Sequence, residues 1–134
     1  TGLLYVVIRE ECSIYYTSEQ EFHVAHFSMG STFQIPDEDT WGGVHALDPL
    51  TGKSKWELKF HSPSWGGILS TTGSLLFVGD MEGYFMALDA GTGKVLWRLQ
   101  LGGPIITAPI TYLVDGKQQV AVAAGSSLYT FSLD

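Results

Sequence analysis

Few residues of this 134-residue chain stand at spacings that chemistry would use. His23 and His26 are three apart, the spacing of paired metal ligands on one helix face. On a strand, positions i and i+3 face opposite sides, and no third ligand stands nearby. Asp37-Glu38-Asp39 offers oxygen ligands ahead of Gly42, but Trp41 breaks the alternation that a calcium loop needs. A solvated acidic loop is expected there. Cys12 is the single cysteine and has no recognisable partner for nucleophilic catalysis, and no Gly-x-Ser-x-Gly elbow is present. Gly91-Thr92-Gly93-Lys94 lacks the spacing of a phosphate-binding loop. Glu10 and Glu11 are adjacent, so on a strand they point to opposite faces and make no acid/base pair. His45 and His61 lie on or beside expected strands and read as packing or surface residues. No residue is therefore assigned a catalytic role or a metal. What remains is Trp65, followed by Gly66 and Gly67. An aromatic flanked by glycines lets a planar ligand approach it. The alternative is a core Trp packed between sheets.

The elements that must position these residues announce themselves by repetition. Residues 46–56 read Ala-Leu-Asp-Pro-Leu-Thr-Gly-Lys-Ser-Lys-Trp, and residues 87–97 read Ala-Leu-Asp-Ala-Gly-Thr-Gly-Lys-Val-Leu-Trp. A third copy starts at Ser132-Leu133-Asp134, and Gly73–Val78 echoes Gly2–Val7. A period near 40 residues points to a propeller or a solenoid. In each copy the Asp accepts hydrogen bonds from its own turn and the Gly supplies a positive φ, which predicts a type I turn closed by a Gly bulge. Lys53 and Lys94 fall on the exposed part of these hairpins. Trp56 and Trp97 then recur in the returning strands, where a large flat side chain suits packing between adjacent sheets. Trp65 stands outside this register, so it has no such job.

Strands are expected at 3–8, 21–27, 42–47, 54–60, 67–70, 74–79, 83–88, 94–100, 105–109, 118–124 and 127–133, with no sustained helical periodicity. Residues 12–40 read as an irregular insertion. The expected class is all-β: about three blades of a propeller whose closed rings hold four to eight. Three blades leave open faces and edges, so the remaining blades are expected on a parent chain. The opening Thr1-Gly2-Leu3-Leu4-Tyr5, which runs straight into a strand, fits a processed chain or an excised fragment.

Composition excludes several classes. Hydrophobic residues make up 45% and charged residues 16%, too apolar and too weakly charged for a disordered chain. Acidic residues outnumber basic ones 14 to 7, for a net charge of −7, which argues against nucleic acid or an anionic membrane as partner. The longest uncharged stretches, 99–114 and 118–133, are too short and too rich in Gly, Ser or Pro to be transmembrane segments.

The repeat with its terminal Trp resembles the tryptophan-docking motif of quinoprotein propellers. Three further segments narrow the resemblance: Pro63-Ser64-Trp65-Gly66-Gly67-Ile68-Leu69-Ser70, Gly79-Asp80-Met81-Glu82-Gly83-Tyr84-Phe85, and Pro109–Tyr112 followed by Asp115–Gly125. Together with Thr1–Val6 they resemble the C-terminal end of the pyrroloquinoline quinone (PQQ)-dependent alcohol and methanol dehydrogenases, which are eight-bladed propellers. The resemblance implies oxidation of a small alcohol in the periplasm, with PQQ and a Ca²⁺ or lanthanide ion, and electron transfer to a cytochrome or quinone. The family's catalytic Asp and metal-ligating carboxylate lie in earlier blades, so the fragment is expected to be inactive alone and to form one wall of the cofactor pocket. The resemblance places Trp65 beside the cofactor, with Gly66 keeping the backbone slim. Where many members carry a cofactor-contacting Asn, this chain reads Arg9-Glu10-Glu11. Arg9 suits a PQQ carboxylate by its planar fork, or is a solvated strand end. The loop after Ala123-Ala124-Gly125 is shorter than in many members. Two rivals stand beside this reading. One is a non-enzymatic propeller scaffold for protein–protein interaction, like the lipoprotein of the outer-membrane assembly machinery. The other is a degenerate dehydrogenase-like protein.

Overall fold

The structure, a computed structural model, describes residues 1–17, 21–27, 32–36 and 40–132. Among them there are twelve strands and no helix. The first sheet joins β1 (Leu4–Glu10), β4 (Trp41–Leu47) and β5 (Ser54–Phe60) in the order β1-β4-β5. The second orders β6 (Ile68–Ser70), β7 (Leu75–Gly79), β8 (Tyr84–Asp89) and β9 (Val95–Gln100) consecutively. The third does the same with β10 (Ile110–Val114), β11 (Lys117–Ala124) and β12 (Ser127–Ser132). Every pairing is antiparallel.

The sheets stack face to face because the strands alternate two apolar faces. In β8, Met86 and Leu88 join Val44, Phe60, Leu76 and Val78 in a core shared with the first sheet. Its alternate residue Phe85 joins Leu101, Ile105, Val120 and Val122 in a core shared with the third. A strand buried on both faces reads as a continuous apolar run, as Tyr84–Leu88 does. Each fully buried Leu, Val or Phe contributes about 1.5–3 kcal/mol.

Both repeat hairpins form as the sequence predicts. Gly52 and Gly93 take φ of 69° and 73°, and a register shift marks a bulge at Ala46/Leu47 and at Ala87/Leu88. The backbone N–H of Gly52 donates to Asp48 O at 2.8 Å, and that of Gly93 to Asp89 O at 2.8 Å. Asp48 Oδ1 accepts from Leu50 N and Thr51 N, and Asp89 Oδ1 accepts from Thr92 N and Oγ1. These bonds favour the ionised form. The Leu50 N–H chiefly lowers the pKa of Asp48, and the Thr92 hydroxyl chiefly lowers that of Asp89.

The repeated Trp fastens one sheet to the next. Trp56 Nε1 donates to Ala90 O at 3.1 Å, and Tyr5 Oη donates to the same carbonyl at 2.9 Å. A Cβ on Gly93 would lie 2.5 Å from Trp56 Cε3, so the turn's glycine lets it lie on the indole. Trp97, one repeat later, sits edge-on to Phe85 and Phe131, with ring centroids 6.1 and 5.5 Å away.

Three expectations need correction. Residues 21–27 form no strand: 24–26 are a turn with Ala25 at φ 65°, and Phe22, Val24 and Phe27 are exposed. Apolar composition makes no strand without an edge to pair with. Residues 105–109 also stay unpaired, and the strand starts at Ile110. Pro104 and Pro109 bracket this stretch, and neither can donate to a ladder. The supposedly irregular insertion contains a hairpin, β2 (Ser13–Thr17) with β3 (Thr32–Pro36). Its β-branched and aromatic residues carried that signal. The acidic run 37–39 lies outside the described residues.

Candidate functional site

Strand direction sorts the connections into two ends. The repeat hairpins 48–53 and 90–94 lie at one end with the turns 71–74 and 115–116. At the other end the chain leaves β1 at Glu10 and enters β4 at Trp41, and the connections 61–67, 80–83, 101–109 and 125–126 lie there too. Trp65 and Arg9 both belong to this loop end.

A glycine brings them together. Arg9 pairs with Gly42 in the β1–β4 ladder. A Cβ on Gly42 would stand 2.5 Å from Ser64 N and 2.6 Å from Ser62 O. Without it, the segment Ser62–Ser64 lies against β4, and the next residue, Trp65, meets Arg9. The Arg9 guanidinium carbon sits 3.7 Å from the Trp65 ring centroid. Trp65 is 62% exposed, which is not the burial of a core Trp between sheets. Such a cation–π pair at an exposed site contributes about 0.5–1 kcal/mol. Arg9 Nε also pairs with Glu11 Oε2 at 3.1 Å.

Gly66 does a different job from its neighbour. A Cβ there would meet the carbonyl oxygens of Ile105 at 3.1 Å, Thr107 at 3.4 Å and Gly79 at 3.6 Å. Its slimness lets the segment bearing Trp65 pack against the second and third sheets. The side chain of Ser64 is buried, and its Oγ has no hydrogen-bond partner. Asp80, also buried, accepts from Tyr84 N through Oδ1 at 2.8 Å, while its backbone oxygen accepts from Ile105 N at 3.0 Å. Burial raises its pKa. Neither Ser64 nor Asp80 stood out as a candidate in the sequence; only the packing shows that both are buried.

Other candidates stay apart from this place. The rings of His23 and His26 lie 6.1 Å apart in the exposed turn. No group of three His, Cys, Asp or Glu side chains suited to a metal occurs among the described residues. Cys12 is exposed. A groove of about 600 Å³ runs between the second and third sheets, lined by Leu75, Phe77, Trp97, Val120 and Phe131. It carries no titratable side chain and is an apolar seam rather than a reaction site.

The site thus combines an exposed indole with a guanidinium over it. That donor set fits a flat anionic ligand.

Comparison with known proteins establishes the family. Residues 41–134 match a family model described as outer membrane protein assembly factor BamB. The quinoprotein ethanol dehydrogenase of Pseudomonas aeruginosa is 41% identical over 127 residues, which is 93% of this chain and 20% of that protein. The lanthanide-dependent methanol dehydrogenase of Methylacidiphilum fumariolicum is 42% identical over 132 residues, 93% of this chain and 21% of that protein. The chain belongs to the quinoprotein alcohol and methanol dehydrogenase family. A europium-containing methanol dehydrogenase superposes with a TM-score of 0.79 at 38% identity, over 90% of this chain and 22% of that one. The quinohemoprotein alcohol dehydrogenase of Comamonas testosteroni gives 0.78 at 30% identity, over 95% of this chain and 21% of that one. The three stacked sheets are therefore propeller blades of a quinoprotein, and the chain spans about a fifth of the length of these relatives.

Proposed function

We propose that this chain is the C-terminal portion of a PQQ-dependent dehydrogenase that oxidises small alcohols, and that Trp65, Arg9 and Gly66 form part of its cofactor site. The observation that carries this reading is the Arg9–Trp65 stack. Two residues 56 positions apart meet at the loop end, where the Arg9 guanidinium lies over one face of an indole that is otherwise largely exposed. PQQ is flat and carries carboxylates, so the two groups complement it. When bound, PQQ would supply a hydride acceptor and a Ca²⁺ or lanthanide ion would supply a Lewis acid.

This chain's own residues bind and orient. Trp65 offers a stacking surface. The terminal nitrogens of Arg9 offer donors to a carboxylate in a planar fork. Gly66 holds the Trp65 segment close to the neighbouring sheets. No group of three His, Cys, Asp or Glu side chains suited to a metal occurs among the described residues, and on this reading proton abstraction and metal binding belong to earlier blades of the parent chain. The isolated 134 residues are accordingly inactive, and a cytochrome or quinone in the periplasm takes the electrons.

The test is the visible spectrum and intact mass of the full-length polypeptide that carries this sequence. A quinone chromophore, retained by wild type and weakened by Trp65→Ala with the fold intact, supports the reading. A long chain without a chromophore after addition of PQQ and Ca²⁺ favours the scaffold or the degenerate enzyme. Turnover by residues 1–134 alone with PQQ and metal refutes the division of labour.

A further inference from the structure

We infer that Glu11 is a positioning residue for the cofactor: it locks Arg9 by its Nε so that the terminal guanidinium nitrogens present their donors to a ligand carboxylate beside Trp65. The inference rests on the PQQ reading and deepens it.

Arg9 is the last residue but one of β1, and Glu11 follows β1 directly. Residues two apart on an extended chain share a face, so both side chains rise on the same side of the sheet. Glu11 Oε2 reaches Arg9 Nε at 3.1 Å, and both side chains are partly shielded, at 35% and 24% exposure. The indole holds the guanidinium from below, with its carbon 3.7 Å from the ring centroid. An arginine has five N–H donors. Glu11 makes its approach at Nε, and the end-on pair of terminal N–H donors, one on each terminal nitrogen, points away from Nε. Two contacts therefore hold a side chain that is otherwise long and rotamer-rich, and a ligand finds its fork pre-oriented.

Glu11 brings a charge as well as an acceptor, and the two act in opposite directions. The acceptor orders Arg9, whereas the negative charge repels an anionic ligand. Glu11 sits at the Nε end, away from the end-on donors, and its partial exposure screens the repulsion. Orientation is therefore the larger effect. Glu11→Gln keeps an acceptor for Nε and removes the charge, so it separates the two.

The experiment uses the full-length polypeptide that carries this chain, stripped of cofactor. Equilibrium dialysis measures the binding of PQQ and of PQQ trimethyl ester, which keeps the ring system and lacks the carboxylates. Glu11→Ala is expected to weaken PQQ binding about fivefold, and to have no effect once Arg9→Ala is also present. Glu11→Gln is expected to bind PQQ within about twofold of wild type. The ester is expected to bind all variants alike. Equal loss for PQQ and its ester, or equal loss with and without Arg9, makes Glu11 a support of the fold and overturns the inference. So does unchanged PQQ binding in Glu11→Ala. A wild-type protein that binds no PQQ overturns the cofactor reading itself, and this inference with it.

Discussion

The two ends of the stacked blades use tryptophan for opposite purposes. At the hairpin end, Trp56 lies on a turn glycine and donates to Ala90 O, with Tyr5 beside it at a ring-centroid distance of 5.9 Å. At the loop end, Trp65 leaves most of its surface to solvent and carries a guanidinium over its ring. The same side chain is a fastener where a neighbouring sheet covers it and saturates its N–H. Where no sheet of the described residues covers it, it stays largely open to solvent and is the surface proposed for the cofactor. The difference lies in the backbone around each ring. Asp48 and Asp89 make tight, self-bonded turns that can be packed against. The connection 61–67 instead follows β4 only because Gly42 has no Cβ.

Substitutions at the two ends should separate sharply. The largest stability change is expected for Trp56→Ala. Loss of a large aromatic from the seam between sheets costs about 3 kcal/mol, read as a shift in the denaturant midpoint of the full-length protein. A change below about 0.5 kcal/mol would mean that Trp56 is as dispensable as a surface residue. Gly42→Val should follow at about 2 kcal/mol, since backbone atoms of Ser62 and Ser64 must move. It should also weaken PQQ binding, because the displaced segment carries Trp65. Gly93→Ala is expected to cost about 1–2 kcal/mol, from positive φ and from contact with the Trp56 ring, and to leave PQQ binding unchanged. Trp65→Ala inverts the pattern. Stability should change by less than about 0.5 kcal/mol, while PQQ affinity falls by about tenfold, as expected for loss of a stacking face. A Trp65→Ala protein that unfolds instead would erase the contrast between the ends.

The smallest effect concerns pH. The folded state lowers the pKa of Asp48 and Asp89 below the ordinary 3.8. Their contribution to stability is therefore present above that value and fades as pH falls through the lowered folded values. Asp80 has the opposite sign. Burial raises its pKa, so its ionised form opposes folding at neutral pH and protonation relieves that cost. Acid titration of Asp48→Asn and Asp89→Asn variants should show a shallower loss of stability below pH 4 than wild type, and Asp80→Asn should not.

Local chemistry was legible in the sequence wherever it acts over a few residues. Asp, Thr and Gly at fixed offsets specify a bulged turn by hydrogen bonds within five positions, and both turns form. The apolar runs at 74–79 and 83–88 specify strands, and strands form at Leu75–Gly79 and Tyr84–Asp89. The irregular reading of 12–40 missed a hairpin, because Ser13–Thr17 and Thr32–Pro36 find each other across a long gap. The strands expected at 21–27 and 105–109 failed for the complementary reason. Strand propensity is realised only against a partner edge, and which edges are free is a property of the assembled sheets.

The site divides along the same line. By itself the sequence determined the repeat, the blade class, and the placing of Trp65 outside the repeat register beside two glycines. It also placed an Arg and a Glu at the end of the first strand. Only the tertiary structure decided that Arg9 lies on Trp65 and pairs with Glu11. Turn and strand signals arise from bonds between near neighbours in the chain, so they are written in adjacent letters. The meeting of residues 9 and 65 depends on a register between β1 and β4 and on one missing Cβ at Gly42, and no local pattern encodes that encounter.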